Sequence, residues 1–195
     1  MIEKESITGI ILAGGKSRRM GREKGLMELK GKPLVEYSID VLEKVCGNIL
    51  ISTNSHAYDH YPYQAVQDLI PESGPMGGIY SGLVRSETAS NLVLSCDTPF
   101  VNRELFEYLI RNSPDMDCVV PWHGGEHFEP LCAFYNKKLT GIFYDFIQKG
   151  NFKIPDLFKV VHMLPLAMDK NLSFYHENYF FNINSRKELN RAAEK

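Results

Sequence analysis

A short apolar run followed by glycines and closely spaced cations carries the strongest chemical signal of the chain. Residues 10–24 read IILAGGKSRRMGREK, so Gly14 and Gly15 follow the apolar run directly. A buried strand that ends in a glycine turn brings backbone amides close to a ligand. A triphosphate has the charge density to match the cations that follow, whereas a solvated surface loop is the alternative. Those cations are Lys16, Arg18, Arg19, Arg22 and Lys24.

Two well-known phosphate-binding motifs do not describe this loop. In the Walker loop a first glycine precedes Gly-Lys-Ser/Thr by a fixed spacing, and Gly15-Lys16-Ser17 matches only the end, because Ile10 stands where the first glycine belongs. The dinucleotide motif G-x-G-x-x-G is absent, since Gly14 and Gly15 are adjacent. We therefore predict a phosphate loop of another kind, in which Arg19 and Lys24 are exposed cations that contact the triphosphate.

Two aspartates follow predicted strands and have two interpretations each. Asp97 in LVLSCDTP either caps the next turn or holds Mg²⁺, which takes one or two carboxylates together with substrate phosphates. Asp68 is either an ordinary polar strand end or a hydrogen-bond acceptor for a base or ribose. Guanine offers N1–H and N2–H₂ donors that such an acceptor suits. The cationic loop favours the Mg²⁺ interpretation of Asp97, because a nucleoside triphosphate arrives with this ion.

Histidines and cysteines give weaker signals. His56 and His60 are four residues apart, as are His123 and His127, but neither pair has the further ligands that a metal site needs. The four cysteines have no zinc-ligand spacing, and Cys96 and Cys118 lie in apolar, strand-like runs, which predicts that these two are reduced core residues. The four are Cys46, Cys96, Cys118 and Cys132. No nucleophile elbow is visible, so a reaction without a covalent enzyme intermediate is expected.

Composition places the chain among ordinary globular proteins and excludes some partners. It has 195 residues, of which 44% are hydrophobic and 24% charged, and its net charge is −2. This balance gives no overall basic field for nucleic acid. The N-terminal stretch is polar and acidic, unlike a signal peptide, and no apolar run approaches the ~20 residues of a membrane span. We expect a cytoplasmic protein, with residues 1–195 forming a single domain.

Apolar runs alternate with helical periodicity, which predicts an α/β sandwich with a mostly parallel, mixed sheet. The predicted strands cover residues 7–13, 48–52, 64–67, 91–95, 118–121, 130–135 and 180–183. The predicted helices cover residues 33–46, 77–85, 103–112, 139–149 and 186–193, the last capped by Ser185. Ligands bind beyond the carboxyl ends of strands in such sheets. Gly14, Gly15, Asp68 and Asp97 are therefore expected to lie together.

With these residues in place, the chain resembles the molybdenum cofactor guanylyltransferase family over nearly its whole length. The resemblance rests on six segments: LAGGKSRRMGREKG at 12–25, GKPL at 31–34, DLIPESGPMGG at 68–78, CDTPF at 96–100, EPLCAFY at 129–135 and FNINS at 181–185. The first segment alone indicates only the wider nucleotidyltransferase superfamily. The later ones, in this order, point to the molybdenum branch.

The resemblance implies a three-layer, Rossmann-like αβα sandwich that transfers GMP from GTP and Mg²⁺ to molybdopterin and releases pyrophosphate. It implies nucleotide binding in the N-terminal half and molybdopterin binding in the C-terminal half. Transient contact with other molybdenum cofactor biosynthesis proteins or acceptor apoenzymes is compatible with it, and nucleic acid and membranes are not expected partners. By the same motifs, the resemblance implies that the nucleotide is contacted by Leu12, Ala13, Gly14, Gly15, Lys24, Asn54, Asp68 and Asp97. It implies that Lys24, Arg19 and Asp97 are catalytic and that Asp97 binds Mg²⁺. It also implies that Asn182 and Asn184 bind the pterin.

Two positions depart from the family pattern, and two alternative functions stay open. Where the family often has two asparagines around one residue, this chain has Ser52-Thr53-Asn54, so only Asn54 matches. Glu129 stands where the family often has Gln, and its negative charge is expected to alter the acceptor side. One alternative is a related transferase that uses CTP or another phosphorylated acceptor. The other is a non-catalytic nucleotide-binding or partner-delivery protein, against which the presence of both Lys24 and Asp97 argues.

Overall fold

Seven strands of the computed structural model, which describes residues 2–14, 23–125 and 127–195, form one mixed sheet. Gly15 and Arg19, both predicted to contact the nucleotide, lie outside the described residues. In the order of the sheet the strands are β5 (Gln64–Val66), β4 (Asn48–Ser52), β1 (Ile7–Leu12), β6 (Ser90–Ser95), β8 (Cys132–Asn136), β7 (Cys118–Trp122) and β9 (Met163–Ala167). β8 runs antiparallel to both of its neighbours, and the other pairs are parallel.

Helices cover both faces of this sheet. The α-helices are α1 (Leu34–Leu42), α2 (Gly74–Arg85), α3 (Arg103–Arg111), α4 (Thr140–Gln148), α5 (Ile154–Leu157) and α6 (Arg186–Ala193). Apolar residues of α1 and α3 form one core with Ile7 and Ile11 of β1. Those of α2, α4 and α5 form a second core with Ile10 and Leu12. Because side chains alternate along a strand, β1 serves both cores, and the predicted three-layer αβα architecture is confirmed.

The central position of β1 follows from its composition. Every residue of Ile7–Leu12 is buried, which is typical of a parallel strand covered on both faces. The strand pairs with β4 on one side and β6 on the other, and Leu12 lies opposite both Ser52 and Ser95. Three strands therefore end at the same level of the sheet.

Some predicted elements differ in the structure. The helix predicted to extend to Cys46 ends at Leu42, and the strand predicted from residue 130 begins at Cys132. The predicted strand at residues 180–183 is wrong, because this segment is irregular and its Ile183 amide donates a hydrogen bond to the Asp97 carbonyl, 2.9 Å away. The last strand of the sheet is instead β9, whose Pro165 is tolerated at a sheet edge. The helix predicted from residue 77 begins at Gly74, because proline fits in a first helical turn.

Helix α2 approaches the sheet closely through two glycines. A Cβ atom at Gly82 would stand 2.6 Å from Ile10 Cγ2, and one at Gly78 would stand 2.9 Å from Ser52 Oγ. Both distances are shorter than packed carbon and oxygen atoms tolerate. The two glycines therefore let α2 lie against β1 and β4, where its N-terminal turn comes next to the strand ends.

A third, smaller apolar cluster attaches the C-terminal helix to the body of the protein. Leu29 of the hairpin formed by β2 (Glu28–Leu29) and β3 (Lys32–Pro33) packs with Leu34, Ile183 and Ala192. Ser185 caps α6 by accepting from the Glu188 amide, as predicted. Across the described ranges, no helix is both long and apolar enough to cross a bilayer.

Because α2 lies so close to the sheet, we expect replacement of its Gly82 by alanine to destabilise the protein, although alanine usually stabilises a helix relative to glycine. We expect Gly82→Ala to lower the free energy of unfolding by about 1–3 kcal/mol, because the added methyl group overpacks against Ile10. Gly141→Ala is the matched control, since a Cβ atom at Gly141 in α4 meets nothing within 4 Å. Alanine should there raise stability by up to about 1 kcal/mol. Urea unfolding of both variants tests this, and equal stability gains would disprove the close contact.

Candidate functional site

Four neighbouring strands place four residues in a row at one edge of the sheet. Val66, Ser52, Leu12 and Ser95 lie side by side at the ends of β5, β4, β1 and β6. Two residues beyond each of them come Asp68, Asn54, Gly14 and Asp97. Backbone hydrogen bonds continue past the strand ends, as from the Ala13 amide to the Ser52 carbonyl at 3.0 Å. The predicted convergence of Gly14, Asp68 and Asp97 is therefore present.

This row forms the floor of a cleft of about 770 Å³. The cleft is bounded by the strand ends, by the loop that begins at Asp68 and by the first turns of α2. Its lining residues include Leu12, Gly14, Asn54, Asp68, Gly78 and Asp97. Such a volume lies in the range of small-molecule sites. Gly14 is exposed in it, so the backbone after β1 is open to a ligand.

At one end of the row, Asn54 and Asp68 form two reciprocal hydrogen bonds. The Asn54 amide Nδ2 donates to Asp68 Oδ2 at 2.8 Å, and the Asp68 backbone amide donates to Asn54 Oδ1 at 2.9 Å. This reciprocal pair uses one amide hydrogen and the amide oxygen of Asn54. Asp68 Oδ1 makes no part of it and faces Gly78, 3.9 Å from the position a Cβ atom would take there. The carboxylate is thus fixed with one oxygen turned towards α2.

At the other end of the row, Asp97 forms an ion pair with Lys24. The Lys24 side chain is only 19% exposed, so the expectation of an exposed cation is wrong for this residue. Lys24 Nζ contacts Asp97 Oδ2, while Asp97 Oδ1 is buried and has no hydrogen-bond partner among the described residues. A buried carboxylate oxygen without a partner is costly unless a ligand completes it. This arrangement fits a hard divalent cation held by one carboxylate and substrate phosphates.

The backbone that carries Lys24 is anchored below the cleft. A Cβ atom at Gly25 would stand 2.6 Å from the hydroxyl oxygen of Tyr58, so this glycine packs directly on that ring. Tyr58 is fully buried, and its hydroxyl donates to the Ala13 carbonyl at 3.3 Å. One buried side chain therefore supports both the turn after β1 and the start of the segment that bears Lys24.

The two C-terminal asparagines bind different partners. Asn184 Oδ1 accepts a hydrogen bond from Lys24 Nζ at 2.5 Å, whereas Asn182 Nδ2 donates to the Phe180 carbonyl at 3.2 Å. Ile183 between them is fully buried. The Asn184 amide donates to Glu188 Oε2 at 2.7 Å, which ties it to the first turn of α6. Asn184 thus joins Asp97 and Lys24, and Asn182 lies apart from them.

Glu129 lies beside His123 on the C-terminal side of the site. Its Oε1 is 3.3 Å from His123 Nε2, and the two side chains are 28% and 26% exposed. Burial, followed by the nearby Asp97 charge, raises the pKa of Glu129 to about 7. Burial and then His127 lower the pKa of His123. Both shifts favour neutral groups, so the expected fixed negative charge at Glu129 is largely suppressed below pH 7.

Several residues of the site carry no local sequence signal. Tyr58 supports two segments of the cleft from a position far from either in the sequence, and its burial shows only in the folded chain. Glu23, Glu72 and Leu131 also line the cleft; they lie inside the quoted motif segments, but the motifs assign them no role. Among the described residues, no group of three or more metal-binding side chains is found.

Comparison with known proteins identifies the family of this chain. A model of the MobA-like NTP transferase domain matches residues 9–154. A probable molybdenum cofactor guanylyltransferase of Flavobacterium johnsoniae is 37% identical over 187 residues, covering 95% of this chain and 96% of the relative. A molybdenum cofactor guanylyltransferase of Vibrio vulnificus is 33% identical, covering 100% of this chain and 98% of the relative.

Solved structures agree with this placement. Molybdopterin-guanine dinucleotide biosynthesis protein A from Archaeoglobus fulgidus is similar with a TM-score of 0.81 and 28% identity, over 96% of this chain and 97% of that one. The sequence relationship and the similar structure extend over nearly the full length of the chain. The resemblance inferred from the motifs is thereby confirmed, and the chain belongs to the MobA-like NTP transferase family, in its molybdenum cofactor guanylyltransferase branch.

Proposed function

We propose that this chain transfers GMP from GTP to the terminal phosphate of molybdopterin and releases pyrophosphate. The row of residues beyond four aligned strand ends carries the proposal. Adjacent strands lie about 4.8 Å apart, so three intervals separate Asp68 from Asp97 by about 14 Å. This length suits an extended nucleotide whose base lies near Asp68 and whose phosphates lie near Lys24.

The nucleoside end favours guanine on chemical grounds. A carboxylate oxygen accepts hydrogen bonds but donates none, and guanine presents two neighbouring donors, N1–H and N2–H₂. The corresponding edge of cytosine presents a single donor, N4–H₂, next to the acceptors N3 and O2, so it offers a carboxylate one hydrogen bond where guanine offers two. Asn54 fixes the Asp68 carboxylate by the reciprocal hydrogen bonds described above. We therefore assign base discrimination to Asp68 and a positioning role to Asn54.

The phosphate end supplies the charges that the reaction requires. The Lys24 ammonium is available to the triphosphate once a ligand enters the cleft, and the exposed Gly14 after β1 lines the same space. Asp97 is the residue that would hold Mg²⁺, because its carboxylate lies at the phosphate end of the row and is only partly balanced by Lys24, one of its oxygens having no partner among the described residues. When bound, Mg²⁺ supplies positive charge to the leaving pyrophosphate.

The transfer itself needs position and charge rather than a general base. An oxygen of the ionised molybdopterin phosphate attacks the α-phosphorus of GTP in line. The new phosphorus–oxygen bond forms as the bond to the bridging oxygen of the β-phosphate breaks, and pyrophosphate leaves with that electron pair. Holding the two reactants in line and neutralising the developing charge are effects large enough to account for such catalysis.

The acceptor side is assigned to Asn182 and the surface next to it. Asn182 is exposed and bonds the Phe180 carbonyl, while the Phe180 ring meets the His123 ring with centroids 4.8 Å apart. His123 in turn contacts Glu129. An asparagine amide both donates and accepts, which matches the mixed edge of a pterin. Contacts thus join these four residues in series, and the Ile183 amide next to Asn182 donates to the Asp97 carbonyl.

A direct assay tests the function. With Mg²⁺ and molybdopterin, GTP should give pyrophosphate and the guanine dinucleotide product, whereas CTP and ATP should give little. Asp97→Asn should lower the rate by about 10²-fold or more, because it removes the charge at the phosphate end. Asp40→Asn, which breaks the surface contact with Lys32, is the matched control. Faster turnover of CTP would favour the related transferase, and no turnover with any nucleotide would favour a binding protein.

Base selectivity supplies a second prediction. Asp68→Asn keeps the size of the side chain but removes its charge and adds a donor. We expect the ratio of kcat/KM for GTP to that for CTP to fall at least about tenfold, since one lost charged hydrogen bond is worth about 1.5–3 kcal/mol. Asp59→Asn, at a surface contact with His56, controls for loss of an aspartate elsewhere. An unchanged ratio would assign Asp68 to the ribose instead.

Glu129 should make the stability of the protein depend on pH. The pKa of its carboxyl group is about 7 in the folded chain, compared with an ordinary value of 4.5. Between these two pH values the folded state therefore keeps the proton, whereas the unfolded state releases it. The resulting stability is present below pH 4.5 and is lost as pH rises through 7. Glu129→Gln should therefore gain stability relative to the parent protein between pH 4.5 and 7.5, as measured by urea unfolding. Glu107→Gln on α3 is the control, and a constant difference across this range contradicts the shift.

A further inference from the structure

The Lys24 ammonium occupies a position where two oxygen ligands converge. It donates hydrogen bonds to Asp97 Oδ2 and to Asn184 Oδ1, the latter at 2.5 Å. Carboxylate and amide oxygens are the ligands that hard divalent cations take. Asp97 Oδ1, the other oxygen of the carboxylate, is buried and has no partner among the described residues. The point between Asp97 and Asn184 therefore has the chemistry of a cation site that an amino group already fills.

The backbone of both residues that supply these oxygens is held by groups other than Lys24. The Ile183 amide donates to the Asp97 carbonyl at 2.9 Å, and the Asn184 amide donates to Glu188 Oε2 at 2.7 Å. Thr98 Oγ1 donates to the Ser95 carbonyl at 2.9 Å and fixes the turn after β6. Removal of the ammonium would thus leave the backbone that carries the two oxygens in place.

Lys24 itself combines a fixed backbone with a flexible side chain. The neighbouring Gly25 packs directly against the buried Tyr58, which fixes the chain at this point. The four methylene groups of the lysine can still reorient their terminal amino group. The ammonium can therefore leave the two oxygens without movement of the backbone.

We infer that Lys24 and the divalent cation compete for one position, so that the empty enzyme binds the metal weakly until a triphosphate draws the ammonium away. Two cations a few ångströms apart repel each other strongly when water is largely excluded. The inference rests on the proposed function, because it needs a triphosphate as the new partner of Lys24. It gives this lysine a second role, that of excluding the metal from a cleft that holds no nucleotide.

Binding of Mn²⁺ to the nucleotide-free protein tests the inference without any turnover. Free Mn²⁺ is measured by its electron paramagnetic resonance signal during titration. We expect Lys24→Met to bind Mn²⁺ at least about tenfold more tightly than the parent protein. Lys32→Met removes the same charge from the surface contact with Asp40 and should leave the affinity unchanged. Equal affinities of the two variants would overturn the inference.

Second substitutions locate the binding and separate it from activity. In the Lys24→Met background, Asp97→Asn should abolish the gained affinity and Asn184→Ala should weaken it; affinity that survives Asp97→Asn overturns the inference. Lys24→Gln repeats the test should the methionine variant unfold, as judged by circular dichroism. If the parent protein does not transfer GMP, but the gain in Mn²⁺ binding of the Lys24→Met variant still depends on Asp97, the proposed function is wrong and the competition stands.

Discussion

The parallel pairing of β1 with its two neighbours is the constraint from which the site follows. Because Leu12 is in register with both Ser52 and Ser95, the strands end together, and the residues two positions later fall side by side. A shift of one strand by one residue would turn its side chains to the opposite face. Such a shift would turn residues packed in one core towards the other and disrupt the close packing of both. The hydrophobic cores on the two faces therefore protect the alignment of the cleft.

A second constraint joins the two ends of the chain. Lys24 comes from the segment after β1, and Asn184 from the segment before α6, 160 residues later. Asp97, from the middle of the chain, binds both segments: its carboxylate pairs with Lys24 and its carbonyl accepts from Ile183. The small core around Leu29 and Ala192 stabilises the same closure from the side. The C-terminal helix is therefore part of the site's framework, although it lies outside the central sheet.

The sequence predicts features that depend on local patterns and misses those that depend on distant partners. The buried run of β1, the aspartate after β6 and the Ser185 cap were all readable, because strand burial and helix capping involve near neighbours. The strand β9 was missed, since Pro165 and partial exposure hide the pattern of an edge strand. The residues 180–183 resemble a strand, but their hydrogen bond to Asp97 fixes an irregular path instead.

The site shows the same division between local and distant information. Motif positions identified Asp68, Asn54 and Asp97 as members of one cleft, and strand order explains why they meet. The hydrogen bond between Asn54 and Asp68 and the contact of Asn184 with Lys24 depend on side-chain geometry across the fold, which the motifs do not show. The shifted pKa of Glu129 likewise arises from burial and from Asp97, neither of which its own segment reveals.

The burial of all four cysteines makes the native protein a favourable background for thiol labelling. Cys46, Cys96, Cys118 and Cys132 are free and buried. Burial raises the pKa of the first three thiols to about 12 and that of Cys132 well above its ordinary value. Maleimides and similar reagents need an accessible thiolate, which these groups do not offer. A single cysteine introduced at the rim of the cleft would therefore be labelled selectively, so that fluorescent or spin probes could report on ligand entry without removal of any native cysteine.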